Sequence, residues 1–240
     1  MYARKVGDQV LDFGHRGWLY EESFMFYDYQ TDSLWVQATG EAVHGHYKGT
    51  KLDRLPATQT TWSEWRQLHP ETRVLSRPKN QNAKYWQDSF AANYATGTGV
   101  KYQRHKVLSF GLAVIAPAGQ KLYPFKELEM QPALADRIGS DLVLVVFHPT
   151  SRTAVAWDPR YEGRTLEIGS AKLEKSDLIL MDRQTGSTWS GLAGRCISGP
   201  AQGGQLKQLT STQFVVENWP LHYPAAPIYH RNEKSPLEFR

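Results

Sequence analysis

The sequence predicts a mainly β, β-rich α+β fold. Two internally duplicated units pack with pseudo-two-fold symmetry and carry short helices at the unit ends. Three observations predict it. The stretch from Phe26 to Pro70 returns from Leu180 to Pro224. Short segments rich in Val, Tyr, Phe and Trp are punctuated by Gly, Asp and Ser, the pattern of β strands and turns. Helix signals are confined to a few brief stretches.

A constant offset of 154 aligns Asp28 with Asp182, Thr31 with Thr185, Ser33 with Ser187 and Trp35 with Trp189. It continues through Gly40/Gly194, Gly45/Gly199, Gly49/Gly203, Leu52/Leu206, Trp65/Trp219 and Pro70/Pro224. Upstream, an offset of 155 pairs Val10–Gly14 with Thr165–Gly169. The repeat is far longer than a solenoid repeat, so it marks a duplicated half-domain and not an array. The second copy has apolar sequence before its match, Asp141–Phe147 and Thr153–Trp157, whose counterparts fall before Met1. On this reading the chain begins partway through its first copy and leaves an edge that is either open or covered by a partner chain.

The organisation read from the repeat is a first unit over 1–76, a linker over 77–106, a second unit over 107–230 and a polar tail over 231–240. Strands are expected at Gln9–Phe13, Phe24–Tyr29, Leu34–Gln37, Glu41–Tyr47 and Thr72–Leu75. In the second copy they are expected at Thr165–Ile168, Asp177–Asp182, Thr188–Ser190 and Arg195–Ser198. Tyr29–Ser33 and Arg183–Ser187 read as hairpin turns in which Asp32 or Gly186 supplies a positive φ. Asp28 and Asp182 then accept backbone hydrogen bonds in those turns. Thr61-Trp62-Ser63-Glu64 has capping-box spacing and opens a short helix that Pro70 stops, while its partner in the second copy ends at Pro220. Pro124–Leu128 and Ala133–Arg137 read as two brief helices. Tyr85, Trp86, Phe90 and Tyr94 suggest a linker held on the surface.

Composition excludes several classes. The chain has 240 residues with 22% charged and 12% aromatic, ample for a packed core. A net charge of +4 with scattered Lys and Arg argues against nucleic acid, which needs clustered basic patches. No apolar stretch approaches the roughly 20 residues that span a bilayer. No signal-peptide apolar region is visible, although an N-terminally shortened chain would leave such a signal out of sight, so the compartment stays open. One cysteine, Cys196, excludes an internal disulfide and a thiolate metal cluster; its counterpart is Ala42, which reads it as a small buried residue.

A family resemblance sits on these residues. Phe13-Gly14, Leu19-Tyr20, Met25, Tyr27-Asp28, Gln30-Thr31, Ser33-Leu34-Trp35, Gln37, Gly40, Gly45 and Thr60-Thr61-Trp62 with Trp65 resemble the signature of domain-of-unknown-function family 3179. His69-Pro70-Glu71-Thr72 and Val74-Leu75-Ser76 extend the match, which is close in the first copy and looser in the second. The resemblance implies no established activity. Typical members also carry Cys-Pro-x-Cys-Gly-Thr ahead of the Phe-Gly strand. Here the second copy has His148-Pro149-Thr150-Ser151-Arg152-Thr153, both cysteines absent, so the resemblance lends no support to a redox or metal role.

Positions shared by the copies read as framework, including Trp35, Trp189, Trp65 and Trp219 as apolar anchors. Candidate function lies where the copies differ: Gln37 against Gly191, Glu41 against Arg195, His44 against Ser198, His46 against Pro200, Trp62 against Val216 and His69 against Tyr223. His44-x-His46 places two imidazoles on one strand face, which zinc or copper can use with Glu41 or His69 as a further ligand. Ser63 with His69 lacks a Gly-x-Ser-x-Gly elbow. Gly97-x-Gly99 lacks the rest of a phosphate loop. Glu41 and Asp53 are free carboxylates without the fixed separation that glycoside cleavage requires.

The expectation is a ligand-binding or structural module with an aromatic and polar cleft in the first repeat, binding a small molecule through Gln37, Trp62 and Trp65 near Glu41 and His44. The alternative is a hydrolase, metal-assisted or not, using Glu41 with His44, His46 and His69. A second alternative is an interaction subunit completed by another chain, or a homo-oligomer formed through an exposed edge of the first unit.

Overall fold

The computed structural model describes residues 1–74 and 109–231, and these fall into two compact units. The expected linker over 77–106 and the tail beyond Arg231 lie outside the described residues. One unit comprises residues 1–57 with 217–226, the other residues 58–216 with those from 227 onward. The spatial units therefore do not follow the copies along the chain: the closing segment of each copy is grouped with the sheet of the other.

In the first unit β1 (Lys5–Val6) and β2 (Gln9–Val10) form a small hairpin. An antiparallel meander follows, in the order β3 (Phe13–Tyr20), β4 (Ser23–Asp28), β5 (Leu34–Val36) and β6 (Ala42–His44). Its core is Leu11, Trp35, Ala42 and Leu52, with Tyr2, Val6, Phe13, Phe26 and Tyr47 packed against it. The β4–β5 turn forms as expected: Asp32 takes φ 56. Asp28 Oδ1 accepts the Thr31 N–H at 2.6 Å, and Asp28 Oδ2 accepts Trp35 Nε1–H at 2.9 Å. Burial alone would raise the Asp28 carboxyl, but these hydrogen bonds outweigh it and hold it below the ordinary carboxylate value.

The second unit begins with α1 (Trp62–Leu68). Then come β7 (Phe110–Ala116), β8 (Gly119–Pro124), α2 (Phe125–Leu128), β9 (Ala133–Ile138), β10 (Asp141–His148) and β11 (Thr153–Asp158). A hairpin, β12 (Arg160–Tyr161) and β13 (Arg164–Thr165), leads to the second meander. This is β14 (Ile168–Leu173), β15 (Leu178–Asp182), β16 (Thr188–Ser190) and β17 (Arg195–Ser198). The strands β18 (Lys207–Gln208) and β19 (Ser211–Val215) close two further sheets, ordered β18-β11-β10-β9 and β19-β7-β8. The last helix, α3 (Trp219–His222), belongs to the first unit.

The unbroken apolar run in β10 has a simple cause. Val143, Val145 and Phe147 point into one core with Leu112, Tyr123 and Leu128, while Leu144 and Val146 point into another with Leu178, Leu180 and Trp189. A strand buried on both faces has no polar side to alternate.

Three local expectations are corrected. Ala133–Arg137 is not a helix but the body of β9, because it pairs residue by residue with β10 from Ala133↔Val146 to Ile138↔Asp141; tertiary pairing overrides the helix preference of Ala and Leu. Pro220 does not end the second copy's helix but sits in the first turn of α3, where its missing N–H costs nothing. Thr72–Val74 carry no strand. Cys196 is buried as expected.

The copies agree in detail beyond the sequence match. The expectation that all of Thr153–Trp157 lacks a counterpart is corrected at its end: Tyr2 aligns with Trp157 at the offset of 155. Tyr2 OH donates to the Gln37 carbonyl at 2.7 Å, and Trp157 Nε1 donates to the Gly191 carbonyl at 2.7 Å. Each ring lies over a positive-φ glycine, Gly40 or Gly194, where a Cβ would overlap it. Burial pushes the Tyr2 phenol up to about 12, against the opposing pull of Arg54, so this donor keeps its proton.

Candidate functional site

Helix α1 starts as the capping rule requires, with Thr61 as N-cap and its Oγ1 accepting the Glu64 N–H at 3.3 Å. The reciprocal half of the box is missing. Instead of returning to the cap, the Glu64 carboxylate turns inward. Its Oε2 accepts hydrogen bonds from Thr60 Oγ1 and Thr153 Oγ1, each at 2.6 Å. Its Oε1 lies 3.1 Å from His148 Nδ1.

His148 ends β10 and Thr153 begins β11, paired across the turn that also holds Ser151. Ser151 Oγ is 3.0 Å from His148 Nδ1 and 2.8 Å from Thr153 Oγ1. On the far side of the ring, Nε2 is 3.1 Å from the Glu174 carbonyl. A carbonyl only accepts, so Nε2 carries a hydrogen. Nδ1 accepts the Ser151 N–H at 3.4 Å and faces Ser151 Oγ, with Glu64 Oε1 beside it. The site is sealed: Glu64 is 4% exposed, His148 1%, Ser151 7% and Thr153 0%. Beside it, Asp177 accepts the N–H groups of Leu178 and Leu192 at 2.8 and 2.9 Å, and its burial pushes its carboxyl above the ordinary value.

The cluster contains a carboxylate, an imidazole and hydroxyls, the ingredients of a hydrolytic relay, but in the wrong order. A relay needs the nucleophile on one ring nitrogen and the orienting carboxylate on the other. Here Ser151 and Glu64 both face Nδ1, and a main-chain carbonyl blocks Nε2. The arrangement can hold a helix to a β-turn; it cannot pass a proton from a nucleophile to a substrate.

The residues singled out from sequence lie elsewhere. Gln37, Glu41, His44 and His46 are in the first unit, whereas Trp62, Trp65 and His69 are in the second. Gln37 has an exposed side chain, and Glu41 is 3.3 Å from Lys51 Nζ in an ion pair. His44 is the last residue of β6, and Gly45 then adopts φ 91. The strand alternation that would align His46 with His44 therefore stops between them; His46 packs edge-on against Tyr47. Trp62 is half-exposed, while Trp65 stacks on His69 with ring centroids 4.1 Å apart and donates to Thr72 Oγ1 at 2.8 Å. The repeat partner Trp219 does the same with Tyr223 and the Ala226 carbonyl, at 4.4 and 3.0 Å. Asp53 and Ser63 are exposed. No group of three or more His, Cys, Asp or Glu is placed to hold a metal ion among the described residues.

Sequence reasoning missed the Thr60–Glu64–His148 cluster. Its one signal was the His148–Thr153 segment, where the resemblance implies a Cys-Pro-x-Cys-Gly-Thr stretch and this chain has His148 and Ser151. Elsewhere in the second unit, Lys121 Nζ and Tyr123 OH each lie 3.0 Å from Asp136 Oδ2, a further internally paired group.

No helix among the described residues is long and apolar enough to cross a membrane, which says nothing of strands. The family model described as protein of unknown function (DUF3179) matches the chain twice, over residues 1–111 and 110–240. Neither the curated proteins nor the solved structures gave a match.

Proposed function

The chain belongs to the DUF3179 family of proteins of unknown function, and on that premise we propose that it is a ligand-binding or structural module and not a hydrolase. The observation that carries this reading is the sealed cluster around Glu64 and His148. There the groups best suited to chemistry satisfy one another, and the imidazole has no free nitrogen. Recognition in this module falls to side chains of the first unit that differ between the copies and stay exposed, Gln37 and His44. The buried cluster serves stability by fixing α1 to the β10–β11 turn.

The test is an assay of the purified protein against ester, peptide and glycoside chromogenic substrates, alongside His148→Gln and His44→Ala variants. The module reading expects no turnover, with His148→Gln altering only thermal stability. Turnover that either substitution abolishes while the protein stays folded would refute it.

A further inference from the structure

Of the three arginines in the first unit, two have an acid and one does not. Arg4 pairs with Asp12 and Arg16 with Asp32, all with exposed side chains. Arg54 is partly buried, yet it pairs with no carboxylate among the described residues. Its Nη2 donates to the Ala38 carbonyl and, at 2.6 Å, to Tyr223 OH, which donates in turn to the Ala38 carbonyl at 3.0 Å. The Tyr2 ring centre lies 5.1 Å from the guanidinium carbon. Nε–H and the Nη1–H groups have no hydrogen-bond partner among the described residues. Neither phenol supplies the missing negative charge. Burial holds Tyr2 up at about 12 and pushes Tyr223 up as well, so both keep their protons at neutral pH. Glu41, whose charge is felt by Tyr223, is taken up by Lys51 at 3.3 Å.

The second copy shows that the fold does not need this charge. Position 54 corresponds to Gln208 at the offset of 154, and Gln208 Nε2 donates to Thr58 Oγ1 at 3.0 Å. In each unit the residue at this position fastens a segment of the other copy, which a guanidinium does in the first and a neutral amide in the second. Nor does the strand ahead of the Tyr2 counterpart bring an acid, since Thr153–Ala156 contains none. A partly desolvated cation without a counter-ion is unfavourable, and the fastening alone does not explain it. We propose that Arg54 holds a small oxyanion, the carboxylate or phosphate group of a soluble ligand, on its free Nε–H and Nη1–H donors. Nη2 already orients the guanidinium, so the ligand gains charge-assisted hydrogen bonds with little loss of side-chain freedom. Gln37, whose side chain is exposed, directly precedes the Ala38 carbonyl that fixes Arg54, which ties the oxyanion to the recognition surface of the first unit. The inference rests on the module reading and names its ligand class; turnover and anion binding are separate measurements, so either can fail alone.

The full chain, isotope-labelled for NMR, is titrated at low salt with sodium acetate and separately with inorganic phosphate while the arginine Nε–H resonances are followed. Arg4 and Arg16 are internal controls because their acids are in place. The expected result is a saturable shift at Arg54 with a Kd on the order of 1 mM for at least one probe, weakened several-fold at about 0.15 M sodium chloride, while Arg4 and Arg16 stay in place. Tighter binding of phosphate assigns a phosphate-bearing ligand, and tighter binding of acetate a carboxylate. Arg54→Gln, which installs the residue of the second copy, is expected to stay folded and to lose the saturable shifts that both probes cause at the Gln37 and Ala38 amides. Three results would each overturn the proposal: no saturable shift at Arg54 with either probe, equal shifts at all three arginines, or unchanged shifts at Gln37 and Ala38 in Arg54→Gln. The titration of the parent chain decides the matter even where the variant does not fold.

Discussion

Replacing Glu64 by alanine removes the acceptor of two hydroxyl hydrogen bonds, each at 2.6 Å, and the partner of His148 Nδ1 at 3.1 Å. Three buried interactions at about 1–1.5 kcal/mol each put the cost near 3–4 kcal/mol. That agrees with about 3–5 kcal/mol for stranding one member of a buried pair. For a domain of this size it corresponds to a fall in Tm of about 10 °C. Glutamine is the discriminating substitution. Its amide oxygen can still accept from Thr60 and Thr153, and its N–H₂ can donate towards His148 Nδ1. Glu64→Gln is therefore expected to cost less than about 1.5 kcal/mol, well short of the alanine variant. Thermal unfolding by tryptophan fluorescence measures both, and hydrogen exchange at the α1 amides detects release of the helix alone. Equal losses in the two variants, or none in either, would refute the reading that the hydrogen bonds of this carboxylate hold α1.

Two carboxylates give pH effects of opposite sign. Asp28 is held below its ordinary value, so its contribution is present above a pH of about 3.9 and lost as pH falls through the folded value. Asp28→Asn is expected to be less stable than the parent at neutral pH, with the gap closing in acid, as read by urea denaturation. Asp177 is raised by burial, so its contribution is full below about 3.9 and lost as pH rises through the folded value. Asp177→Asn is expected to stabilise at neutral pH and to lose that advantage in acid; no gain at neutral pH would contradict it. Gly194→Ala combines φ 65 with a Cβ 2.7 Å from the Trp157 ring, at an expected cost of about 2–4 kcal/mol. Gly203→Ala, at φ 89 with nothing within 4 Å, should cost only about 1–2 kcal/mol. Similar losses in the two would show that the ring contact is not the cause.

The framework was legible because its parts are local and doubled. Asp28 with Thr31, Ser33 and Trp35 makes one turn, Asp182 with Thr185, Ser187 and Trp189 makes the other, and each can be read against its twin. The buried cluster was not legible for two reasons. Glu64 and His148 are distant in the chain, and Glu64 has a complete local explanation as the third residue of a capping box. Sequence spacing says nothing about which way that carboxylate turns. Ala133–Arg137 failed for a related reason: its helix preference is local, while its pairing with β10 is decided by the core on either side. His44 and His46 illustrate the limit of alternation, since one glycine at φ 91 ends the strand between them.

Tyr2 and Trp157 carry a lesson about tolerance. Two different aromatic residues occupy the same slot, rest on equivalent glycines and reach equivalent carbonyls over the same 2.7 Å. What the slot measures is a flat ring with a hydrogen donor at its outer end, held at a fixed reach from the glycine. Tryptophan and tyrosine are interchangeable by that gauge. Phenylalanine fills the same space yet leaves the carbonyl of residue 37 or 191 without its donor. The duplicated fold thus keeps a distance and a proton constant while the residue that supplies them changes.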